Sequence, residues 1–171
     1  MIYQYIEDKN VTPEMDEKLR GLLSASFLNR NDSEIFSRQR FLKEMPQHRY
    51  LFWDDETLIA HIAVHDKQVM IDEVSYPVCG IAEVCVHADY RKQGLVKKLL
   101  NHVHQDGLAS GYAFSILFGD ENVYGSSGYQ HADNLKLFGL TKEWVSLDNL
   151  LMLALNKQWP EQEVRLSGIP F

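Results

Sequence analysis

Two stretches of this sequence hold residues whose types and spacing could do chemistry. The first is Ile81-Ala82-Glu83-Val84-Cys85-Val86, an apolar run in which Glu83 is the only acid. An ionised carboxylate among apolar neighbours is costly unless something holds it there. Glu83 is therefore either an edge-facing or salt-bridged residue, or one kept as a general base or as an anchor for an ammonium group. The second stretch is the turn Tyr90-Arg91-Lys92-Gln93-Gly94-Leu95-Val96. A strand that feeds a Gly-bearing turn into a helix start leaves backbone N–H groups unpaired and pointing outward. With the positive end of the helix dipole they form an anion site, and Arg91 and Lys92 add charge at the same spot. An ordinary solvated turn would also contain one glycine and two basic side chains, so both readings stand. The turn is neither a dinucleotide fingerprint nor a P-loop, because G-x-G-x-x-G and G-x-x-x-x-G-K-[ST] are absent.

Metal chemistry finds little support. His61 and His65 share a strand face but stand ~13 Å apart, and His102 and His104 point in opposed directions on a helix. No Cys/His cluster supplies further ligands. Asp120 reads as a polar loop residue at a strand end. Cys79 and Cys85 have no C-x-x-C spacing, so reduced thiols in a cytosolic compartment are expected rather than a disulfide framework. A net charge of −7 argues against a nucleic-acid platform and fits a cationic small substrate, or simply solubility. The start lacks a signal-peptide pattern, and no apolar run approaches the ~18–20 residues of a membrane span. With 171 residues, 45% of them hydrophobic, one domain with a full core is expected.

These candidates need elements to position them. Ile2 to Ile6 reads as a strand. Thr12-Pro13-Glu14 opens a helix with a capping hydroxyl, Pro in the first turn and acids behind it, running to about Phe27. A second short helix is expected from Ser33-Glu34, with Ile35, Phe36, Phe41 and Leu42 on its apolar side. Tyr50 to Trp53 and Leu58 to His65 flank the polar turn Asp54-Asp55-Glu56-Thr57 as a β-hairpin. Val69 to Val74 reads as another strand, ended by Ser75-Tyr76-Pro77, where proline restricts itself and the residue before it. Val78 to His87 is the next strand. Leu95, Val96, Leu99, Leu100, Val103 and Leu108 recur at the spacings of a one-sided helix from about Gln93 to Ser110. That helix is a crossover, so Tyr112–Phe118 should run parallel to the strand before it. Further strands are expected near Leu135–Leu140 and Leu150–Asn156, with an irregular end.

Arg91-Lys92-Gln93-Gly94-Leu95-Val96 resembles the [Arg/Gln]-x-x-Gly-x-[Gly/Ala] turn of the GNAT-type N-acetyltransferases. It matches the first and fourth positions and departs at the sixth, where Val96 replaces a small residue. Downstream, Asn122-x-Tyr124-x-x-x-Gly128-Tyr129 is similar to the second motif of that superfamily. The resemblance implies an α/β (α+β) fold with a mixed, mostly antiparallel central sheet, splayed between two parallel strands, and helices on both faces. The pantetheine arm of acetyl-coenzyme A would occupy the splay. The cosubstrate would be cradled by Arg91, Lys92, Gln93, Gly94, Leu95, Val96 and Asn122, with no metal. The amides of Val84 and Val86 would polarise the thioester carbonyl. Glu83, a match to several branches, would take the proton from the amine and hold the ammonium. Tyr124, otherwise a packing aromatic, would return a proton to the leaving sulfur. The helices before the hairpin would wall the acceptor cleft.

Two branches look nearer than the rest. Ala60-His61-Ile62-Ala63, Ala82-Glu83-Val84, Gly94-Leu95 and the ending Trp159-Pro160-x-x-x-Val164-x-x-x-Gly168 resemble rhizobial nodulation N-acyltransferases. Glu83 to Val96 is similar to aminoglycoside 2′-N-acetyltransferases, some of which carry Val at the sixth turn position. Both act on amino sugars, which implies a small-molecule amine as partner, met by Glu83 and the carboxylate of Phe171. No nucleic acid or membrane partner is implied, while homodimers are common in the superfamily. The expected activity is transfer of an acetyl group from acetyl-coenzyme A to a primary amine in a ternary complex. The alternatives are a longer acyl donor, on coenzyme A or a carrier protein, and a non-catalytic acyl-coenzyme A binder.

Overall fold

The computed structural model describes residues 1–171. Its elements in chain order are β1 (Ile2–Glu7), α1 (Pro13–Ser26), α2 (Arg30–Arg38), β2 (His48–Asp54), β3 (Thr57–Ile71), β4 (Val74–Val86) and α3 (Leu95–Ala109). They continue with β5 (Phe114–Phe118), α4 (Glu121–Tyr124), β6 (Gln130–His131), β7 (Leu135–Phe138), β8 (Trp144–Val145), β9 (Leu150–Ala154) and β10 (Val164–Leu166). They form two compact units, Met1–His65 with Ala82–His102, and Asp66–Ile81 with Val103–Phe171. No helix is long and apolar enough to cross a membrane.

In the first unit β1, β2 and β3 pair antiparallel. Thr12 caps α1 by accepting from the Met15 amide at 3.3 Å, as its hydroxyl and the following Pro13 predict. The buried face of α1, Leu19, Leu22 and Leu23, packs with Phe36 of α2, Leu51 of β2 and Cys85 of β4. The second helix starts earlier than the sequence suggests. Asn29 caps it, accepting from the Asn31 amide at 3.1 Å, and Ser33 lies inside, its hydroxyl donating to the Ser24 carbonyl. Either residue type caps a helix; the one that precedes the first turn able to bury Phe36 prevails. Phe41 and Leu42 fall beyond the helix end.

The mixed sheet runs in the order β6-β9-β5-β4-β3-β10-β7-β8, with β3 and β4 contributing residues to both units. β4 and β5 are parallel from Val78 opposite Phe114 to Ile81 opposite Leu117, as the α3 crossover requires. Val69 to Ile71 ends β3 rather than forming a strand of its own, and the chain reverses at Asp72-Glu73, with φ of +47° and +67°. Two consecutive left-handed residues make the tight turn whose twist suits a hairpin. Pro77 does not break β4. It stands before the first residue paired with β5, where no N–H is required, and its carbonyl accepts from Ala113 at 2.7 Å. The end of the chain is more regular than its composition suggests. Val164–Leu166 pairs antiparallel with β3 and parallel with β7. Cys79 and Cys85 are both buried free thiols, and burial pushes them up to about 11 and about 12.

Candidate active site

The residues singled out in the sequence divide between the units. Glu83, Val84, Val86 and the turn Arg91 to Val96 lie in the first, and Asn122, Tyr124 and Phe171 in the second.

In the first unit, Glu83 sits at φ +52°, a left-handed conformation inside a strand. An L-residue other than Gly, Asn or Asp rarely adopts it, and doing so costs about 1 kcal/mol or more. The kink makes β4 irregular just ahead of Val84 and Val86. It also turns the Glu83 side chain inward, to 6% exposure. There Oε1 accepts from the Leu42 amide at 3.1 Å, while Oε2 is buried with no hydrogen-bond partner. Arg49 Nη1 is the nearest cation to it, 3.6 Å away. Burial raises the carboxyl, Arg49 and the Leu42 amide offset part of that, and the result is about 7. A carboxylate with one oxygen uncommitted and an affinity near neutrality can accept a proton, directly or through one water.

The anion turn is held on the same unit. The His87 amide donates to the Ile59 carbonyl of β3 at 2.8 Å, and the Tyr90 hydroxyl donates to Asp54 at the end of β2 at 2.7 Å. Arg91 folds back, its Nε donating to the Val86 carbonyl at 3.3 Å, which ties the turn to the end of β4. Lys92 and Gly94 take φ of +61° and +71°, so the chain enters α3 with its amides turned out. The amides of Gly94, Leu95, Val96 and Lys97 find no acceptor within the chain, and the first helical bond runs from Lys98 to the Gly94 carbonyl. Four open donors at the start of a 15-residue helix, beside two basic side chains, suit a diphosphate. A Cβ on Gly94 would meet nothing within 4 Å, so the space beside Gly94 itself is open. Val96 is half-buried there.

In the second unit, Asp120 caps α4, accepting from the amide and the side-chain Nδ2 of Asn122 at 2.8 and 2.9 Å. The backbone N–H and one side-chain N–H of Asn122 are thus spent on the turn, and its second side-chain N–H and its carbonyl oxygen remain for a ligand. Tyr124 closes the helix with its ring over Gly119, where a Cβ would come within 2.6 Å of it. Behind it stands Tyr129, edge-on at 6.2 Å and fully buried, its hydroxyl bonded to Ser115 Oγ at 2.6 Å and His104 Nε2 at 3.0 Å. Burial drives the Tyr129 phenol well above its usual range and His104 down to about 4. Tyr129 is therefore a fixed wall for Tyr124 rather than an acid. Phe171 lays its ring on Gly80, against which a Cβ would stand at 2.5 Å, and meets Phe118 edge-on at 5.3 Å.

Sequence reasoning missed Asp8, Arg40 and Arg49, and weighed His61 only as a metal ligand. Arg49 is fully buried, and its guanidinium donates to Asp8 at 2.5 Å, to the Arg40 carbonyl at 2.8 Å and to His61 Nε2 at 2.9 Å. His61 Nδ1 lies 2.9 Å from the Glu83 carbonyl. The available signal was a titratable residue inside each of two apolar strand runs, His61 and Glu83; Arg49, which follows Gln47-His48 at the edge of a third, gave none. No group of three or more His, Cys, Asp or Glu residues is placed to hold a metal ion.

Comparison with known proteins bears on this arrangement. The family described as the acetyltransferase (GNAT) domain matches residues 9–132. Among solved structures, the Escherichia coli GNAT family N-acetyltransferase YhbS, in complex with CoA, is 22% identical with a TM-score of 0.65, over 90% of this chain and 81% of that one. A GNAT family acetyltransferase from Brucella melitensis in complex with acetyl-CoA is 18% identical with a TM-score of 0.65, over 95% and 94%. A probable N-acyltransferase from Enterococcus faecalis is 22% identical with a TM-score of 0.62, but 75% of this chain spans only 32% of that longer one. No curated protein matches. The α/β fold expected from the two motifs is the fold of these structures. On the match across most of its length, the chain belongs to the GNAT acetyltransferase family.

Proposed function

We propose that the protein transfers an acetyl group from acetyl-coenzyme A to the primary amine of a small molecule, an amino sugar or aminoglycoside being the first class to test. The observation that carries this reading is Glu83, a buried carboxylate in a strained conformation, with one oxygen uncommitted and its proton affinity near neutrality. Structural glutamates have no use for that combination.

When bound, the cosubstrate supplies an activated thioester carbonyl. The chain's own residues do the rest. The open amides of Gly94 to Lys97, with Arg91 and Lys92, hold the diphosphate. The amides of Val84 and Val86, beyond the kink at Glu83, are assigned to the carbonyl oxygen. Glu83 removes one proton from the acceptor ammonium, so that the nitrogen lone pair is free to form the new C–N bond. As the C–S bond breaks, Tyr124 gives its hydroxyl proton to the sulfur, and the nitrogen releases its second proton to solvent, from which Tyr124 regains one. Phe171 is assigned to the acceptor. The half-buried Val96 favours a second reading, a binder of acyl-coenzyme A without turnover, since a branched side chain beside the open amides restricts the approach of the diphosphate.

The test is acceptor-dependent release of free thiol from acetyl-coenzyme A, with products identified by mass. The panel comprises amino sugars, aminoglycosides, polyamines and peptides. Turnover of an amino sugar that is lost in Glu83→Gln and Tyr124→Phe supports the proposal. Turnover confined to polyamines or peptides removes the amino-sugar assignment. No acceptor-dependent release, despite measurable binding of coenzyme A, favours the second reading.

A further inference from the structure

Three buried ionisable side chains, Asp8, Arg49 and His61, form a chain behind the Glu83 carboxylate, and their donors and acceptors can be counted. Arg49 has five N–H groups. Nε serves Asp8, one on Nη2 serves the Arg40 carbonyl and one on Nη1 serves His61 Nε2. Because a guanidinium only donates, His61 Nε2 must accept. The proton of a neutral His61 is then on Nδ1, where it is donated to the Glu83 carbonyl. This assigns the tautomer from the bonding pattern alone. Burial and the adjacent Arg49 push His61 down to about 3, which agrees with a neutral ring. Asp8, at 2% exposure, is the acid closest to Arg49, and it is also bonded by Arg40, which in turn reaches Asp16. The ionisable groups around Glu83 are therefore Arg49, Asp8, Arg40 with Asp16 behind it, the neutral His61, and the Cys85 thiol two residues on.

This arrangement separates two tasks. The peptide at Glu83 is pinned in its left-handed turn by His61. The hydrogen bonds of Arg49 go to Asp8, the Arg40 carbonyl and His61, so Glu83 Oε2 is left at 3.6 Å with a charge contact and no hydrogen bond. An Asp8 that was absent or neutral would release Arg49 toward Glu83 and would also remove a like charge. Both changes favour the ionised Glu83.

We propose that Asp8, Arg49 and His61 are positioning residues for Glu83: Asp8 holds Arg49 back from its carboxylate, and His61, oriented by Arg49, holds its backbone in the conformation that presents that carboxylate. This rests on the reading of Glu83 as the base, but the coupling itself can be measured apart from turnover.

The experiment uses the full chain as wild type, Asp8→Asn, His61→Asn and His61→Leu, with folding checked by circular dichroism. Two quantities are read for each: the titration midpoint of the Glu83 side-chain carboxyl by carbon NMR, assigned with Glu83→Gln, and the pH profile of kcat and kcat/KM with acetyl-coenzyme A and a reactive amine. Asp8→Asn is expected to lower the Glu83 midpoint, and the acidic limb of kcat/KM with it, by about one pH unit. His61→Leu should cut kcat by roughly ten- to a hundredfold with KM for acetyl-coenzyme A unchanged. His61→Asn should restore most of the loss, because its side-chain amide can donate as Nδ1 does. A Glu83 midpoint unmoved in folded Asp8→Asn overturns the proposal, as does His61→Leu with wild-type kcat. If Asp8→Asn does not fold, the His61 pair decides alone. If the midpoint shifts as expected while Glu83→Gln turns over at the wild-type rate, the coupling stands and the assignment of Glu83 as the base fails.

Discussion

Arg49 Nη1 stops 3.6 Å from Glu83 Oε2, while Nε of the same guanidinium bonds Asp8 at 2.5 Å. The nearer carboxylate takes the hydrogen-bonded ion pair, and the farther one, in charge contact only, keeps an affinity for a proton near pH 7. If Glu83 is the base, log kcat/KM should rise with pH and level off around pH 7. Glu83→Gln should lose that limb and about 10²- to 10⁴-fold in kcat/KM, with affinity for coenzyme A intact by calorimetry.

The same group makes a stability prediction of opposite sign. Its folded pKa lies above the unfolded value of 4.5, so between 4.5 and about 7 the folded chain binds the extra proton. Stability from this group is full below 4.5 and lost as the pH climbs through 7. Glu83→Gln should therefore be more stable than the wild type at pH 8, by up to about 3 kcal/mol, and lose that advantage by pH 4. Urea unfolding at the two pH values measures it.

Asp8 works the other way. Burial alone would raise its carboxyl, but the hydrogen bonds and charges of Arg40 and Arg49 outweigh burial and hold it below the ordinary aspartate range. Its contribution is present above the unfolded value of 3.8 and lost as the pH falls through the lower folded one. His61, neutral in the fold with a pKa of about 3, must also take up a proton on unfolding as the pH drops from 6.5. Asp8→Asn is expected to cost about 3–5 kcal/mol at pH 7, since it removes the carboxylate that a buried arginine bonds, and progressively less as the pH falls below 3.8. Thermal melts across that range check it.

At the anion turn, Gly94→Ala meets no clash but forces φ +71° on an L-residue, at about 1 kcal/mol. The turn relaxes, the four amides lose their common aim, and affinity for coenzyme A should fall about tenfold by calorimetry. Val96→Ala removes bulk beside the same amides and should raise affinity a few-fold. A fall with Val96→Ala would mean that the side chain packs on the cofactor instead.

The ring of Tyr124 occupies the place where a Cβ on Gly119 would stand. Gly119→Ala should displace the phenol and reduce kcat almost as far as Tyr124→Phe does, while the double variant is no slower than the worse single one. Additive losses would show that the two residues act separately.

Much of this was legible in the chain before folding. Periodicity located α1 and α3, which each bury one face, whereas β1, the β2–β3 hairpin and the parallel β5 showed as short apolar runs between turns, β3 and β5 being buried on both faces. Pro77 and the Ser33 cap were misread because proline is excluded only where its missing N–H is needed, and a helix start is chosen among competing caps by what it lets the helix bury. The anion turn was visible as a local pattern, since its donors all lie between Arg91 and Lys97. The support of Glu83 was not. Asp8, Arg49 and His61 lie far apart in sequence, and each alone looks like an unrelated polar interruption. Their joint meaning arises only from the β2–β3 register and the turn after β1 that brings in Asp8.

The strand Val164–Leu166 lies between β3 and β7. During synthesis, the first unit has every residue it needs once His102 has emerged, whereas the sheet of the second must wait for residues more than sixty positions later. Until then the facing edges of β3 and β7 have no neighbour to fill the gap between them, and nascent chains at this stage are most exposed to mispairing with one another.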